Sequence, residues 1–383
     1  MWMETKTEVE VVSRSRASLS RLVLNSLLLC TGDMEHLDKH MQDKWFILQL
    51  AMWGLRGVAR VILANNPLSG ALILTALYWA SPWQGLLGSL GVLASTITAV
   101  IVGQDSAELA GGLHGFNGML VSLLMGVFSS AGDWYWWLLL PVCLGSATCV
   151  FLFSGLTALL ARWDLPAAVF PFNIVIILYL LCTGENNPYF PHHPAMPAGM
   201  LHPNVTTLSG LQVLHGIPLG VGQIFACGVL GPSLLILGAV VLYSPLLAIH
   251  ALLGSAIGTL AGLSMAVRHE LLYAGLSGFN GALGCMAVGG LFFTFSWRIH
   301  ILAIASAFLS AYADIALSNL MGTVGLPACS WAATLTATLM LLLTGSLAAN
   351  RIPIGQVMAP ECNLRSRGQW EAGNTEDRES TDV

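Results

Sequence analysis

The chain has 383 residues, of which 55% are hydrophobic and 9% are charged, and its formal net charge is −5. Soluble domains carry about a quarter charged residues, so this composition excludes a water-soluble globular enzyme. Thirteen charged residues lie in residues 1–44 and ten in residues 351–383, which leaves twelve for the 306 residues between them. The middle of the chain is therefore predicted to lie in a membrane. The acidic balance offers no basic surface, which excludes nucleic acid as a partner.

A first membrane repeat is predicted over residues 45–183, after a polar N-terminal segment of residues 1–44. It contains six apolar segments bounded by proline, glycine and charge: 45–64, 68–80, 83–103, 113–130, 134–161 and 166–182. The second of these is shorter than the roughly 20 residues that a helix needs to cross a bilayer. We therefore expect tilted or half-length helices within the repeat.

A polar, proline-rich loop at residues 184–210 interrupts the apolar pattern and cannot span hydrocarbon. A second membrane repeat follows over residues 211–348, and its six segments are 212–228, 231–243, 246–267, 276–293, 298–318 and 327–347. The polar tail, residues 349–383, is predicted to be disordered. The chain thus divides into two membrane repeats between polar ends.

The two repeats arise from an internal duplication. A shift of 163 positions places Gly115-Phe116-Asn117-Gly118 on Gly278-Phe279-Asn280-Gly281, and further along a shift of 161 places Leu165-Pro166-Ala167 on Leu326-Pro327-Ala328. Two long hydrophobic repeats are typical of transporters and channels, whose solute path lies at the repeat interface.

Two signals predict the orientation of the chain. Lysines and arginines in both terminal flanks favour cytoplasmic ends, and Asn204-Val205-Thr206 in the inter-repeat loop is a glycosylation sequon that is usable only outside the cell. Opposite sides for the ends and the loop require an odd number of crossings per half. The predicted fold class is therefore an all-α polytopic plasma-membrane protein of two inverted repeats, each with five transmembrane helices and one tilted half-helix.

The chain contains no sequence motif for a metal site, an enzyme active site or ATP hydrolysis. The eight cysteines contain no Cys-x-x-Cys pair, so neither a metal site nor a disulfide framework is expected, and no cofactor is predicted. A membrane enzyme would need a nucleophile–base pair or an HExxH helix, and an ATP-driven pump a P-loop, none of which occurs. Downhill flux is the default expectation.

Several motifs together resemble one known family. Residues 165–172 (LPAAVFPF) look like the signature of the urea transporters, which reads leucine-proline, two variable residues, threonine, one variable residue and proline-phenylalanine. The copy at residues 326–333 (LPACSWAA) is a decayed version. Residues 65–70 (NNPLSG), the duplicated Gly-Phe-Asn-Gly and residues 220–224 (GVGQI) are also similar to that family.

The resemblance implies a facilitative urea channel that assembles as a homotrimer in the lipid bilayer, with one pore in each subunit. It further implies that two glutamines, one per repeat, start ladders of hydrogen-bond acceptors along the half-helices. Aromatic or leucine slots flank these ladders, and the signature threonines line the midpoint. Urea is planar, neutral and rich in N–H donors, so a flat apolar slot with acceptors on one edge replaces its lost water contacts.

The residues that match the implied pore depart from the family pattern. Arg60 stands at the outer glutamine position, whereas its repeat mate Gln223 keeps the glutamine. Val169 and Ser330 replace the two signature threonines. Leu63 occupies the outer slot in the first half, and Phe225 is the nearest aromatic residue in the second half. Asn65 and Asn66 complete the predicted pore residues.

These departures leave the function open between three hypotheses. Arg60 is a donor-only cation that must face water or find a carboxylate. In the pore it would disfavour cations, and it would either donate hydrogen bonds to the carbonyl oxygen of a solute or obstruct the path. Alternatively, its side chain snorkels to the lipid interface. The chain is a urea channel, a path for ammonia, water or another small neutral solute, or a non-conducting scaffold derived from a channel. Asp314, embedded in an apolar segment, either has a function or makes an interhelical hydrogen bond.

Three histidines and two asparagines are predicted to have structural roles. The counterpart of His114 under the shift is Ser277, so no twinned histidine pair is expected, and His114, His250 and His300 are predicted to be core or interface residues. Asn117 and Asn280 in the duplicated turn are predicted to satisfy unwound backbone near the half-helices.

Overall fold

The computed structural model describes residues 30–41, 43–199 and 208–364. Within these ranges the chain is helical, and strand pairing is limited to two isolated bridges, Ser129 with His192 and Phe293 with Arg351. The predicted glycosylation site, Asn204, lies outside the described residues. So does most of the predicted N-terminal segment and the end of the tail.

The first half contains a short helix outside the predicted segments, six longer helices and one further short helix. They are α1 (Glu35–Met41), α2 (Phe46–Arg60), α3 (Pro67–Ala80), α4 (Pro82–Val102), α5 (Ser106–Ala110), α6 (Phe116–Phe128), α7 (Leu139–Leu160) and α8 (Phe170–Cys182). Each predicted apolar segment of this half holds one helix. The short α5 before the fourth segment was not predicted, because five residues between glycines are too few to show a periodic pattern.

The second half repeats this order. Its helices are α9 (Gly210–Gly222), α10 (Leu230–Tyr243), α11 (Pro245–Ser264), α12 (His269–Tyr273), α13 (Phe279–Met286), α14 (Trp297–Gly322) and α15 (Trp331–Leu341). A π-helical turn, Ala287–Leu291, continues α13. The last predicted segment, 327–347, is longer than its helix, which ends at Leu341 and gives way to a short 3-10 helix.

The duplication extends to the local backbone. Proline after a capping serine starts both α4 and α11, since the side chains of Ser81 and Ser244 accept hydrogen bonds from backbone N–H groups of the first turn. A non-glycine residue in the left-handed region follows both α2 and α9, namely Leu63 with φ 62° and Ala226 with φ 54°. The same unusual conformation at equivalent positions means that both halves break their first helix in the same way.

The lengths and apolar character of the helices fit a multi-pass membrane protein. Four stretches are long and apolar enough to cross a bilayer, namely Pro82–Val102, Trp136–Trp163, Pro245–Ser264 and Trp297–Gly322. Two further helical stretches, Gly210–Phe225 and Leu230–Tyr243, are long and apolar enough to cross a bilayer when they are taken together. The chain bends by 73° at the break between them. The remaining apolar helices have 10–17 residues, as expected for tilted or half-length elements.

Helices α2 and α3 pack backbone against backbone at Gly70. A Cβ atom at this position would lie 1.9 Å from the carbonyl oxygen of Leu55, a distance that no side chain rearrangement can relieve. Gly70 therefore fixes how closely the two helices on either side of the first break approach each other.

We predict that Gly70→Ala destabilises the protein by at least about 1–3 kcal/mol, because the added methyl group must push the two helices apart. The matched control is Gly238→Ala in α10, where a Cβ meets nothing within 4 Å. The measurement is the thermal unfolding midpoint in detergent. Equal midpoints for the two variants would show that the α2–α3 contact is not tight.

The described part of the inter-repeat loop is anchored by His192, whose side chain is 7% exposed. Its Nδ1 accepts a hydrogen bond from the backbone N–H of Gly184 at 3.0 Å and lies 3.2 Å from the hydroxyl of Thr183. Burial lowers the pKa of His192 from its ordinary value of 6.5, while Glu185 opposes and His193 adds to the shift. Nδ1 must stay unprotonated to accept the bond from Gly184.

We predict that this loop loses stability on acidification. Because the pKa of His192 is lower in the folded protein, the unfolded chain binds the proton more readily. The contribution of His192 to the free energy of unfolding is therefore complete above pH 6.5 and is lost as the pH falls from 6.5 through the folded-state pKa. His192→Asn keeps an acceptor that does not titrate, and the unfolding midpoint of this variant should depend less on pH than that of the wild type. His193→Asn, at the exposed neighbour, should follow the wild type; identical pH curves for all three proteins would contradict the prediction.

Candidate functional site: a cavity between the two halves

A cavity of about 1080 Å³ lies between the two halves and is lined by residues of both. Ala195, Met196 and Ala198 of the inter-repeat loop and Ile354 and Gly355 of the segment after the second repeat are among the residues that line it. Five predicted pore residues line it: Arg60, Leu63, Val169, Gln223 and Ser330. The cavity has the size of a small-molecule site and the position expected for a solute path between repeats.

Arg60 and Gln223 make the same backbone contact in the two halves. The Nε of Arg60 donates to the carbonyl of Gly111 at 2.9 Å, and the Nε2 of Gln223 donates to the carbonyl of Ala274 at 2.9 Å. Gly111 and Ala274 end the short helices α5 and α12, so each bond ties the end of a broken helix to a carbonyl that the short helix leaves free. Arginine and glutamine are thus exchangeable in this structural contact and differ in what they offer the cavity.

The guanidinium of Arg60 has no carboxylate within 4 Å in the described part of the chain. Asp33 and Tyr243 lie near enough to act on its charge, and Tyr243 donates its hydroxyl proton to Asp33 at 3.3 Å. Of the alternatives for Arg60, the structure favours a side chain directed to the cavity, since Arg60 lines it. The cation is held between a backbone carbonyl and the open space of the cavity.

The remaining predicted pore residues take other places. Phe225 is buried in the core with 1% exposure and does not border the cavity, whereas its neighbour Ala226, the repeat mate of Leu63, does. Asn65 accepts a hydrogen bond from the buried guanidinium of Arg56 at 2.8 Å. Asn66 caps α3 and donates to the carbonyls of two residues in the N-terminal segment, Cys30 and Gly32. The structure therefore gives these two asparagines backbone and side-chain partners outside the cavity.

Asn117 and Asn280 satisfy broken backbone, as predicted. Asn117 donates to the carbonyl of Ala168 at 3.1 Å and accepts from the N–H of Phe172 at 3.1 Å. Asn280 repeats both bonds, at 3.0 Å with Cys329 and 3.2 Å with Ala333. In each half the asparagine thus holds the turn that precedes the signature helix.

A contact between the halves at Ser330, which lines the cavity, was not predicted from the sequence. Asn173 is fully buried, and its Nδ2 donates to the hydroxyl oxygen of Ser330 at 3.2 Å and to the carbonyl of Val169 at 3.0 Å. The N–H of Ser330 donates back to Oδ1 of Asn173 at 3.2 Å. A signal existed, because Asn173 is polar in an apolar segment and its repeat mate, Thr334, is polar too.

The three histidines lie in packed surroundings. His114 and His250 are 2% and 1% exposed. His114 lies 3.1 Å from a carboxylate oxygen of Glu108, and Nε2 of His250 lies 3.3 Å from Nδ1 of His300. These placements agree with the structural interpretation of the histidines.

The segment after the second repeat is bound to the first half at the border of the cavity. The guanidinium of Arg351 forms an ion pair with the carboxylate of Asp164 at 3.2 Å and donates to the carbonyl of Leu341 at 2.9 Å. The N–H of Ile354 donates to the same carboxylate at 3.2 Å. Because Ile354 and Asp164 both line the cavity, this ion pair fixes the chain at its border.

These features define a multi-pass membrane protein with a central cavity between two similar halves. The family model for the urea transporters matches residues 51–345, and the chain belongs to this family, a family of transporters and not of enzymes. It is similar to Urea transporter 1 of Capra hircus, with 43% identity over 336 residues and 87% of both chains. It is also similar to Urea transporter 1 of Rattus norvegicus, with 42% identity over 346 residues and 90% of both chains.

We predict that Asn173 and Ser330 contribute to stability as a coupled pair. Asn173→Ala and Ser330→Ala should each destabilise the protein, and the double variant should cost less than the sum by about 0.5–3 kcal/mol, because either single change already removes their shared bonds. The measurement is the unfolding midpoint in detergent for all four proteins. Thr75→Ala combined with Ser330→Ala is the control, since the Thr75 hydroxyl bonds only within its own helix; additive effects for Asn173 and Ser330 would contradict the contact between halves.

Proposed function

We propose that the protein conducts urea passively, down its gradient, through the cavity between the two halves. The observation that carries the proposal is that this cavity has side chains of both halves along its walls in a chain of the urea transporter family. Its walls are largely apolar and carry a few hydrogen-bonding groups, including Gln223 and Ser330. Such a surface replaces the water contacts of a neutral, planar solute without holding the solute tightly.

The polar residues of the path are assigned as follows. Gln223 presents its amide oxygen to urea N–H groups, since its Nε2 is bound to Ala274. Ser330, oriented by Asn173, is the hydroxyl at the midpoint, and Val169 and Leu63 are apolar walls. Arg60, bound through Nε to Gly111, directs its remaining N–H groups to the urea oxygen. Asn65, Asn66 and Phe225 support the path from outside it.

The orientation and assembly belong to the same proposal. Both termini lie in the cytoplasm of a plasma-membrane protein, and two inverted repeats each supply five crossings and one half-helix. In support, the two halves share their order of helices and break their first helix at equivalent positions. We assign the protein to homotrimers, each subunit with its own path, and Asn204 to the glycosylated loop outside the cell.

The first test is stopped-flow shrinkage of proteoliposomes in urea gradients, beside ammonia, methylurea and water. We expect urea flux well above that of empty liposomes. Flux of ammonia or water without urea would support the path for another small solute, and silence toward all four would support a non-conducting scaffold.

The second arm of this experiment uses Arg60→Gln. Gln223 shows that glutamine makes the equivalent backbone bond, so the variant should fold, and we expect it to conduct urea several-fold faster because a shorter, neutral side chain widens the path. Thr75→Val, on a helix surface away from the cavity, is the matched control. A slower Arg60→Gln would instead show that the guanidinium assists urea passage, and equal rates would show that Arg60 does not face the solute.

A further inference from the structure

The two halves of the cavity wall differ in chemistry although they share a fold. Under the shift of 161, Phe153 of α7 corresponds to Asp314 of α14, and Val169 corresponds to Ser330. All four residues line the cavity. At these two positions the second half therefore places acceptors where the first half places apolar groups, and five more of its lining residues add side-chain oxygens: Gln223, Ser277, Ser318, Thr334 and Thr338.

Asp314 is the strongest acceptor on this wall. Its side chain is 7% exposed and lies near the side chains of Asn280 and Ser318. Phe153, the counterpart, packs edge-to-face against His114 and Phe116 at ring distances of 5.3 and 5.9 Å. An aromatic ring fills this position in the first half, so packing alone does not require a carboxylate in the second half.

The charge of Asp314 is uncompensated within the described part of the chain. The other two carboxylates that line the cavity have basic neighbours, since Asp164 pairs with Arg351 at 3.2 Å and Glu108 lies 3.1 Å from His114. No lysine, arginine or histidine of the described residues lies within 4 Å of Asp314. Arg268, which also lines the cavity, lies 3.7 Å from the exposed carboxylate of Glu270.

An unpaired carboxylate inside a membrane protein is costly unless it takes up a proton or a cation reaches it. The cavity gives such access, and its wall around Asp314 carries hydroxyl acceptors. A planar ligand with several N–H donors would place two of them on the carboxylate and a third on a neighbouring hydroxyl, as Arg–carboxylate pairs do. The best ligand is therefore a flat cation with N–H groups on its edges.

We propose that Asp314 forms a binding site for small amidinium-type cations, of which guanidinium is the smallest with three equivalent edges. The proposal rests on the proposed urea path, because guanidinium has nearly the shape of urea and fits where urea fits. It differs in its positive charge and in having no oxygen acceptor. The bound cation occupies the path between the halves and blocks urea, and the guanidinium of Arg60, on the same cavity, opposes its onward passage.

The test measures urea flux in proteoliposomes with millimolar guanidinium chloride, with tetramethylammonium chloride at equal concentration as the cation that lacks N–H donors. We expect guanidinium, and not tetramethylammonium, to inhibit the wild type. For Asp314→Asn, inhibition relative to the uninhibited flux of that variant should require at least about tenfold more guanidinium, the loss of one charge-assisted contact. Glu270→Gln, at an exposed carboxylate that does not line the cavity, should be inhibited as the wild type is.

Direct binding separates this proposal from the proposed function. In detergent, guanidinium at low millimolar concentration should raise the unfolding midpoint of the wild type relative to tetramethylammonium, and not that of Asp314→Asn. This result would stand even if no urea flux were found. Ser318→Ala, a milder change, should weaken both effects without removing the carboxylate. Equal behaviour of wild type and Asp314→Asn, or no effect of guanidinium on the wild type, would overturn the proposal and assign Asp314 to an interhelical hydrogen bond alone.

Discussion

Helices that break inside a membrane leave backbone groups that water cannot reach, and the protein must satisfy these groups with its own side chains. This structure does so with the same contacts in both halves. Asn117 and Asn280 hold the turns before the signature helices, and Arg60 and Gln223 bind the carbonyls at the ends of the short helices. The cavity lies among these breaks, so the groups that keep the backbone satisfied also set the shape of the candidate path.

The structural contacts are kept in both halves while the cavity chemistry diverges. Asn117 and Asn280 are the same residue and make equivalent bonds, because each amide donates to one backbone carbonyl and accepts from one backbone N–H. Val169 and Ser330 differ because neither side chain is required for the local backbone. This separation explains how one fold can carry Asp314 and Ser330 in the second half where the first half carries Phe153 and Val169.

Arg60 illustrates how a residue can serve two roles. Its Nε performs the structural function that glutamine performs in the other half, and its charge is then directed to the cavity. A guanidinium keeps N–H donors after one bond is made, whereas an amide that donates to a carbonyl presents its oxygen. The substitution therefore reverses the hydrogen-bonding character of one end of the candidate path without changing the backbone around it.

The sequence by itself determined the membrane character, the six apolar segments per half, the duplication and the resemblance to urea transporters, because these depend on patterns that run along the chain. It also identified Asn117 and Asn280 correctly, since duplicated asparagines in an apolar turn have few other uses. Only the tertiary structure decided that Phe225 is buried away from the cavity, that Asn173 binds Ser330, and that Asp314 lines the cavity with no basic side chain of the described residues within 4 Å. Those facts depend on which residues distant in sequence meet, and the direction of a side chain at a helix break is set by backbone angles that a sequence pattern does not reveal.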